Sequence, residues 1–374
     1  MPNTNTNAKT TDFLRATFEH IGGSVVQQVE DNFPLTAAIK ASGNVETVIS
    51  DGKFVEWPLI RKNIGTFDWT DQSGINNSAQ PDILSNGQWE WKYAGLGFDV
   101  PKHMLDLNSG KSQIVNLMQT YKDQAQIEFE QNFQLALLSD GSAAWGGWSK
   151  APFDGLGAIF PSTGTASNLN TNTLMQTYIT GSAGPDSYAG VKRSSDSYWR
   201  VQSQSGHDTA PATITAAAIV TFIRKCSNDA MVDAPNIALV DPPTYDYLNS
   251  LRTGASTWIR SSDRNDDMYV EKMKFGPTTF YPCSIPGFSW ATGAGGQSTG
   301  GYAVGGGVTT AATSNILFLN TKYLKLFHHG SGVTVSINDN IPHQNVIAVD
   351  MYYKGNLACT RLNRQGIMIN YKGA

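Results

Sequence analysis

Tyr353-Lys354-Gly355-Asn356-Leu357-Ala358-Cys359-Thr360, running on through Arg361-Leu362-Asn363-Arg364-Gln365-Gly366, decides how this 374-residue chain is read. The sequence on either side is strand-like. Residues 345–353 and 356–370 are predicted as two β-strands that close the chain around Lys354-Gly355. Upstream, Val333-Thr334-Val335-Ser336-Ile337 alternates apolar and polar side chains, the period of a half-covered strand. Ile316-Leu317-Phe318-Leu319 has no polar member and predicts a compact buried strand.

Further toward the N-terminus the pattern becomes α/β. Asn236-Ile237-Ala238-Leu239-Val240 reads as a buried strand. Asp241-Pro242-Pro243 then starts a helix through Leu251, because proline is tolerated in a first turn, and Gly254 ends it. Residues 268–274 and 278–281 are predicted to pair around Phe275-Gly276-Pro277. No charged side chain occurs from 275 to 321, and 293–307 holds eight glycines, which predicts a loop. Thr215 opens a helix to Cys226 whose apolar positions are Ala218, Ile219, Phe222 and Ile223, with Lys225 placed favourably near its C-terminal end. Residues 141–204 read as irregular chain pinned by Trp145, Trp148 and Phe153, with a short strand around 155–160.

The strongest single element lies at 112–139. Ile114, Leu117, Met118, Tyr121, Ala125, Phe129, Phe133 and Ala136 trace one helical face, while Gln119, Lys122, Asp123, Gln126, Glu130 and Gln134 occupy the other. No proline or glycine interrupts 112–140, Asn108 and Ser109 offer caps, and Gly141 supplies the stop. A helix of about 25 residues is roughly 38 Å long, about twice the mean, and reads as a spine for other layers.

Residues 45–106 switch to strand periodicity. Val45, Thr47 and Ile49 alternate with polar residues, as do Lys53-Phe54-Val55-Glu56-Trp57-Pro58 and Gln88-Trp89-Glu90-Trp91-Lys92-Tyr93. Between them, 68–86 is rich in Asp, Asn, Ser, Gln and Gly. This predicts a long two-stranded arm with a polar tip, and such a hairpin is marginal alone, so it needs a neighbour to lie on. Residues 1–10 read as disordered or docked only by a partner. A helix over 13–28 is broken by Gly22-Gly23, and a second helical piece over 25–38 is limited by Pro34.

Composition excludes several classes. Net charge is -4, from 31 acidic and 27 basic residues, which argues against a broad nucleic-acid footprint. The apolar runs are too short to cross a bilayer as a helix. The polar N-terminus has no apolar h-region and predicts no signal peptide. Cys226, Cys283 and Cys359 are scattered and form no metal knuckle or disulfide scaffold, which fits a reducing compartment.

Signals for chemistry are weak. Of the six histidines, His20, His103, His207, His328, His329 and His343, none has zinc spacing. His328 and His329 are adjacent and would face opposite ways in a strand. His207-Asp208 could form a dyad but lacks a serine elbow. Gly300-Gly301-Tyr302-Ala303-Val304-Gly305-Gly306-Gly307 lacks the ending of a phosphate loop. Asp263, Asp266 and Asp267, near Arg260 and Arg264, do not match a calcium loop and read as ion pairing. Trp57, Trp89 and Trp91 could stack bases or sugars, but they read better as packing against protein. No catalytic, cofactor-binding or metal residue is assigned, no cofactor is expected, and the chain is not read as an enzyme.

The stretch 353–366 resembles the C-terminal strand pair of the major capsid proteins of tailed bacteriophages, the family with the HK97-type fold, where a G-N-L-x-C segment and an R-Q-G ending recur. Residues 235–254 resemble that family's strand, Asp/Asn-Pro turn and helix. The likeness spreads over most of the chain and lies in element order. It implies an α+β HK97-like capsid fold with an N-terminal arm at 1–45 and an extended hairpin loop at 46–106. The peripheral domain would be 107–235 and 343–374, with its spine helix at about 112–139, and the axial domain 236–342. It implies a structural protein that assembles with itself, as pentameric and hexameric capsomers, into an icosahedral shell around double-stranded DNA. The DNA would be contacted weakly and without sequence specificity. The partners implied are a separate scaffolding protein, a portal protein and a decoration protein, with no membrane, and the place is the virion after assembly in the host cytoplasm.

Other readings remain open at this point. The same fold serves a bacterial encapsulin-like nanocompartment, for which a cargo enzyme would be encoded nearby. The tryptophans and Ser/Thr/Gly-rich stretches would suit a carbohydrate-binding virion surface module. A hydrolase would rest on His207 and Asp208.

Overall fold

The computed structural model describes residues 34–48, 52–60, 84–102, 111–139, 141, 150–160, 187–192, 199–205, 214–227, 233–240, 242–252, 259–260, 273–283, 313–338 and 345–372. Two sheets dominate. The first has four strands: β1 (Val45–Thr47), β13 (Leu324–Asn338), β14 (Val346–Cys359) and β4 (Lys92–Pro101), in the order β1-β13-β14-β4. The second has seven, in the order β7-β15-β12-β8-β11-β10-β9. Its members are β7 (Gln202–Ser205), β8 (Ile237–Val240), β9 (Ile259–Arg260), β10 (Met273–Phe275), β11 (Thr278–Pro282), β12 (Thr313–Leu319) and β15 (Gly366–Lys372).

A long helix, α2 (Lys111–Leu137), covers the first sheet. Its apolar face is the one the sequence predicts: Ala125, Phe129, Phe133 and Ala136 are buried. The ring of Phe98 stacks on Tyr121 at 6.1 Å, and Tyr353 meets Phe129, Phe133 and Phe153 edge-on at 5.3–6.3 Å. Odd residues of β14 (Ile347, Val349, Met351, Tyr353) point to this core, and even ones point away.

The seven-stranded sheet is covered on both faces at its centre. Ile237, Leu239, Leu317 and Leu319 join the core shared with the four-stranded sheet. Ala238, Val240, Ile316 and Phe318 join a second core with Ile219, Phe222 and Ile223 of α4 (Ala216–Cys226) and with Tyr245 and Leu248 of α5 (Pro242–Arg252). Burial on both sides is why β8 and β12 lack polar alternation. Thr215 caps α4 by accepting from the Ala218 N–H at 3.2 Å.

Several expectations are corrected. Lys354-Gly355 is no turn, because β14 runs through it, pairing with Tyr93 and Lys92 of β4. Glycine is needed there for close approach: a Cβ would lie 2.5 Å from the Phe327 carbonyl and 2.6 Å from the Tyr353 hydroxyl. The following strand is β15, which leaves this sheet for the other one. The expected division at 342 does not follow the sheets either. Residues 324–338, expected in the axial part, pair with β14, whereas β7, α4 and β15, expected in the peripheral part, belong to the seven-stranded sheet and its core. β13 starts at Leu324, well before the strand expected at 333–337, and Gly330 and Gly332 adopt positive φ where its register shifts. Pro34 starts a helix, α1 (Pro34–Ala41), as proline in a first turn can. Residues expected as a short strand form α3 (Leu156–Ile159). A two-stranded unit, β5 (Ser187–Tyr188) and β6 (Val191–Lys192), turns through Ala189 and Gly190, both with positive φ.

The N-terminal segment docks on the body from 34 onward. Leu35 and Ile39 are fully buried, and β1 pairs in parallel with β13. Residues 1–33 and the tip at 61–83 lie outside the described residues.

Candidate assembly surface

The hairpin expected at 46–106 exists as β2 (Phe54–Ile60) paired antiparallel with β3 (Leu84–Glu90). Its described stem does not stand off the body. Val55, Leu59, Gly87 and Trp89 face inward and are buried, while Glu56, Pro58, Asn86, Gln88 and Glu90 face out. Trp57 and Trp91 each meet the buried ring of Phe327 edge-on at 5.2 Å. Trp57 also meets Trp89 at 5.2 Å. Trp89 donates to the Tyr188 hydroxyl at 3.4 Å, and that oxygen also accepts from the Cys359 N–H at 3.1 Å. Burial holds the Tyr188 phenol neutral far above its ordinary range. The three tryptophans thus pack against protein, and the alternation read from the sequence is an anchoring pattern.

Past Trp91 the chain enters β4, an edge strand among the described residues. Tyr93 is 72% exposed and Tyr352 53%. Both lie on the outward face of the β4–β14 pair, with Lys354 opposite Tyr93 and Gly95 opposite Tyr352. The Lys354 ammonium sits 4.5 Å from the Trp91 ring and 5.8 Å from the Tyr93 ring. Below β4 a groove of about 540 Å³ opens toward α2, lined among others by Lys92, Leu96, Glu128, Phe133, Lys150 and Phe153. An edge strand over an aromatic-floored groove, beside two exposed tyrosines, has the features of a contact surface.

At one end of the groove is a polar cluster. Asn356 is fully buried. Its amide nitrogen donates to Asp154 Oδ2 at 2.8 Å and to the Glu90 carbonyl at 2.9 Å. Its Oδ1 accepts from the backbone N–H groups of Asp154 at 2.9 Å and Leu357 at 2.8 Å. The Lys92 ammonium lies 3.7 Å from Asp154 Oδ1 and 3.9 Å from Glu90. A second cluster pins both crossings between the sheets. Asn320 and Gln365 exchange two amide hydrogen bonds, Asn236 accepts from the Thr321 N–H at 3.0 Å, and Asn44 donates to the Thr321 carbonyl at 2.6 Å. Asp233 accepts from Lys322 at 2.7 Å and from Tyr323, and these two bonds hold its carboxyl below the usual range.

His328 is buried with Nε2 at 3.1 Å from Thr47 Oγ1, and His329 meets the edge of Trp91 at 5.9 Å. The two adjacent rings therefore serve different neighbours. His20, His103, His207, Asp208, His343, the 263–267 acidic group and Gly300–Gly307 lie outside the described residues. The three cysteines are buried, and burial pushes the Cys226 and Cys283 thiols up to about 12. Among the described residues no three His, Cys, Asp or Glu side chains are placed to hold a metal ion. Sequence reading did not single out Asp154, Asn356, Tyr352 or Asp233. Asn356 stood inside the fold-deciding stretch, but nothing in its neighbours' identity marked it as the buried partner of Asp154.

No family model matches the sequence. No curated protein matches it. Solved structures do. A chain of the cyanophage A-1(L) capsid asymmetric unit superposes with a TM-score of 0.56 at 13% identity, covering 89% of this chain and 92% of that one. A chain of the capsid of a native GTA particle gives 0.52 at 8% identity, covering 89% and 90%. The fold is the HK97-like fold of capsid shells. The holo-SrpI encapsulin complex from Synechococcus elongatus also matches, with a TM-score of 0.45 at 9% identity over 90% and 88%. The HK97-like fold accounts for the mixed α+β composition, in which a long helix lies on one sheet and the chain passes twice into a second.

Proposed function

We propose that this chain is a shell protein that assembles with copies of itself. The observation that carries the reading is the superposition, over 89% of the chain, on a chain of the cyanophage A-1(L) capsid asymmetric unit. The exposed Tyr93–Tyr352 face and the edge of β4, which pairs with no further strand among the described residues, support it, since each leaves apolar or hydrogen-bonding surface for a neighbour to cover. A shell subunit touches several neighbours, so modest contacts add up to a stable particle.

The finer proposal is a phage major capsid protein. It forms pentameric and hexameric capsomers around double-stranded DNA, is helped by a separate scaffolding protein, and is joined by portal and decoration proteins. The virion is its place, with assembly in the host cytoplasm. The domain division proposed for it keeps the arm, hairpin, spine helix, peripheral and axial parts, with strand membership as the sheets have it. The role is structural and without catalysis. Electron microscopy of the expressed protein tests the reading: closed particles, tubes or capsomers support it. The contents of particles purified from the natural source separate a DNA-filled capsid from a compartment holding a protein cargo.

A further inference from the structure

The outer edge of β4 carries a register of its own. β4 pairs with β14 without a shift from Pro101–Val346 to Lys92–Gly355. Just beyond this ladder the Lys102 N–H donates to the Asn345 carbonyl at 3.0 Å. In an antiparallel ladder such a bond flanks a pair whose own N–H and C=O groups point away from the paired strand, so Pro101 is a residue of that kind. Alternation gives the same role to Asp99, Gly97, Gly95 and Tyr93. Their N–H and C=O groups aim at the edge, which pairs with no further strand among the described residues. Pro101, with no N–H, stands where this ladder needs none. Between Tyr93 and Asp99 the outward face of the strand is bare at Gly95 and Gly97, and no bulge interrupts it, so little guards the edge against pairing.

We propose that β4 pairs antiparallel with β4 of a second copy across a two-fold axis at Leu96, joining the two four-stranded sheets into one. This rests on the self-assembly reading and names the partner of that edge. In this register Tyr93 faces Asp99 of the second copy and Gly95 faces Gly97, each pair exchanging two hydrogen bonds, so every outward N–H and C=O of these residues is matched. Sliding by one pair in one direction sets Tyr93 against Pro101, which has no N–H to give. Sliding the other way carries Asp99 past the second copy's β4. On the outward face each Asp99 enters the row of Tyr93 and Lys354 of the other copy, where the Lys354 ammonium lies 5.8 Å from the Tyr93 ring, so opposite charges share a row. On the inner face the two Leu96 side chains meet on the axis, beside the groove that Leu96 lines. A two-fold contact uses the same patch on both subunits, whereas a ring of five or six uses two different ones, so this pairing links one ring to the next.

The test is Leu96→Cys in the full-length chain, oxidised after purification and run on a denaturing gel without reductant, with native mass measured on the same sample. Opposed residues of a non-hydrogen-bonded antiparallel pair have Cα atoms about 4.5 Å apart, within disulfide reach. The expected result is a band of two chains and nothing larger, because a residue on a two-fold axis meets only its counterpart. Tyr93→Cys alone should stay single, since its two counterparts are roughly 20 Å apart along the paired strands. Tyr93→Cys combined with Asp99→Cys in one chain should link, and both side chains are exposed, so this variant serves if Leu96→Cys folds poorly. Cys226, Cys283 and Cys359 are buried, and the parent oxidised in parallel should run as one chain. Assembled particles that give no two-chain band from either linking variant, a ladder beyond two chains, or equal linking by Tyr93→Cys alone overturns the pairing and leaves the shell reading standing. A single-subunit native mass with no band overturns both. A two-chain band without particles keeps the pairing and overturns the shell.

Discussion

Replacing Trp89 by alanine should detach the hairpin stem from the body. Trp89 is 1% exposed, its ring packs over Gly87, and it contacts Trp57 and Tyr188. Burying roughly 200 Å² of indole at about 25 cal/mol per Å² gives about 5 kcal/mol. Measured losses for aromatic-to-alanine changes in cores run at about 3–5 kcal/mol. The hydrogen bond to Tyr188 adds little, since its 3.4 Å length is long and the Tyr188 oxygen keeps the Cys359 N–H. A domain of ordinary stability, about 5–15 kcal/mol, would lose a large part of it. Urea titration of dissociated subunits, followed by near-ultraviolet circular dichroism, reads the change. Trp89→Phe should recover more than half of the loss, because it keeps an apolar ring over Gly87. A loss under about 1 kcal/mol for Trp89→Ala would refute the claim that the stem is part of the core, because that is the range of ordinary surface substitutions.

Other expectations follow from single sites. Asp233 has a depressed carboxyl pKa, so its pairing with Lys322 and Tyr323 stabilises fully above the unfolded value near pH 4 and is lost as pH falls through that value toward the folded one. The acid limb of a stability-versus-pH curve should therefore be shallower in Asp233→Asn than in the parent, as urea midpoints from pH 6 to pH 3 would show. Gly155→Ala would drive a methyl into the Leu137 and Ala136 carbonyls at the end of α2, the latter 2.7 Å away, and should cost about 1–3 kcal/mol, visible as a lower thermal midpoint. Tyr93→Ser with Tyr352→Ser should leave subunit stability within about 0.5 kcal/mol for each change while reducing the assembled fraction in size-exclusion light scattering.

The parts legible in the sequence were those whose pattern is local. The apolar stripe from Tyr121 to Ala136 placed the spine helix to within two residues of its observed ends. The unbroken runs Ile237–Val240 and Ile316–Leu319 marked the doubly covered centre of the second sheet. The parts that were not legible depend on distant partners. Gly355 looks like a turn until Phe327 and Tyr353 are seen pressed against it. The strand expected from Val333 starts earlier, at Leu324, because Gly330 and Gly332 carry β13 through a register shift. The hairpin stem reads as an arm because Phe327 and Tyr188, which bury its tryptophans, lie far along the chain. The polar cluster at Asn356 was invisible for the same reason: Asp154 reaches it from 202 positions away.

The account stands or falls on self-association into a wall. Negative-stain electron microscopy of the purified full-length protein, with native mass measured on the same sample, tests this directly. The account predicts closed shells, tubes or ring-shaped capsomers of five or six subunits. A single subunit mass at the highest attainable concentration, with and without co-expressed neighbouring genes, and grids free of any ordered particle, would contradict it.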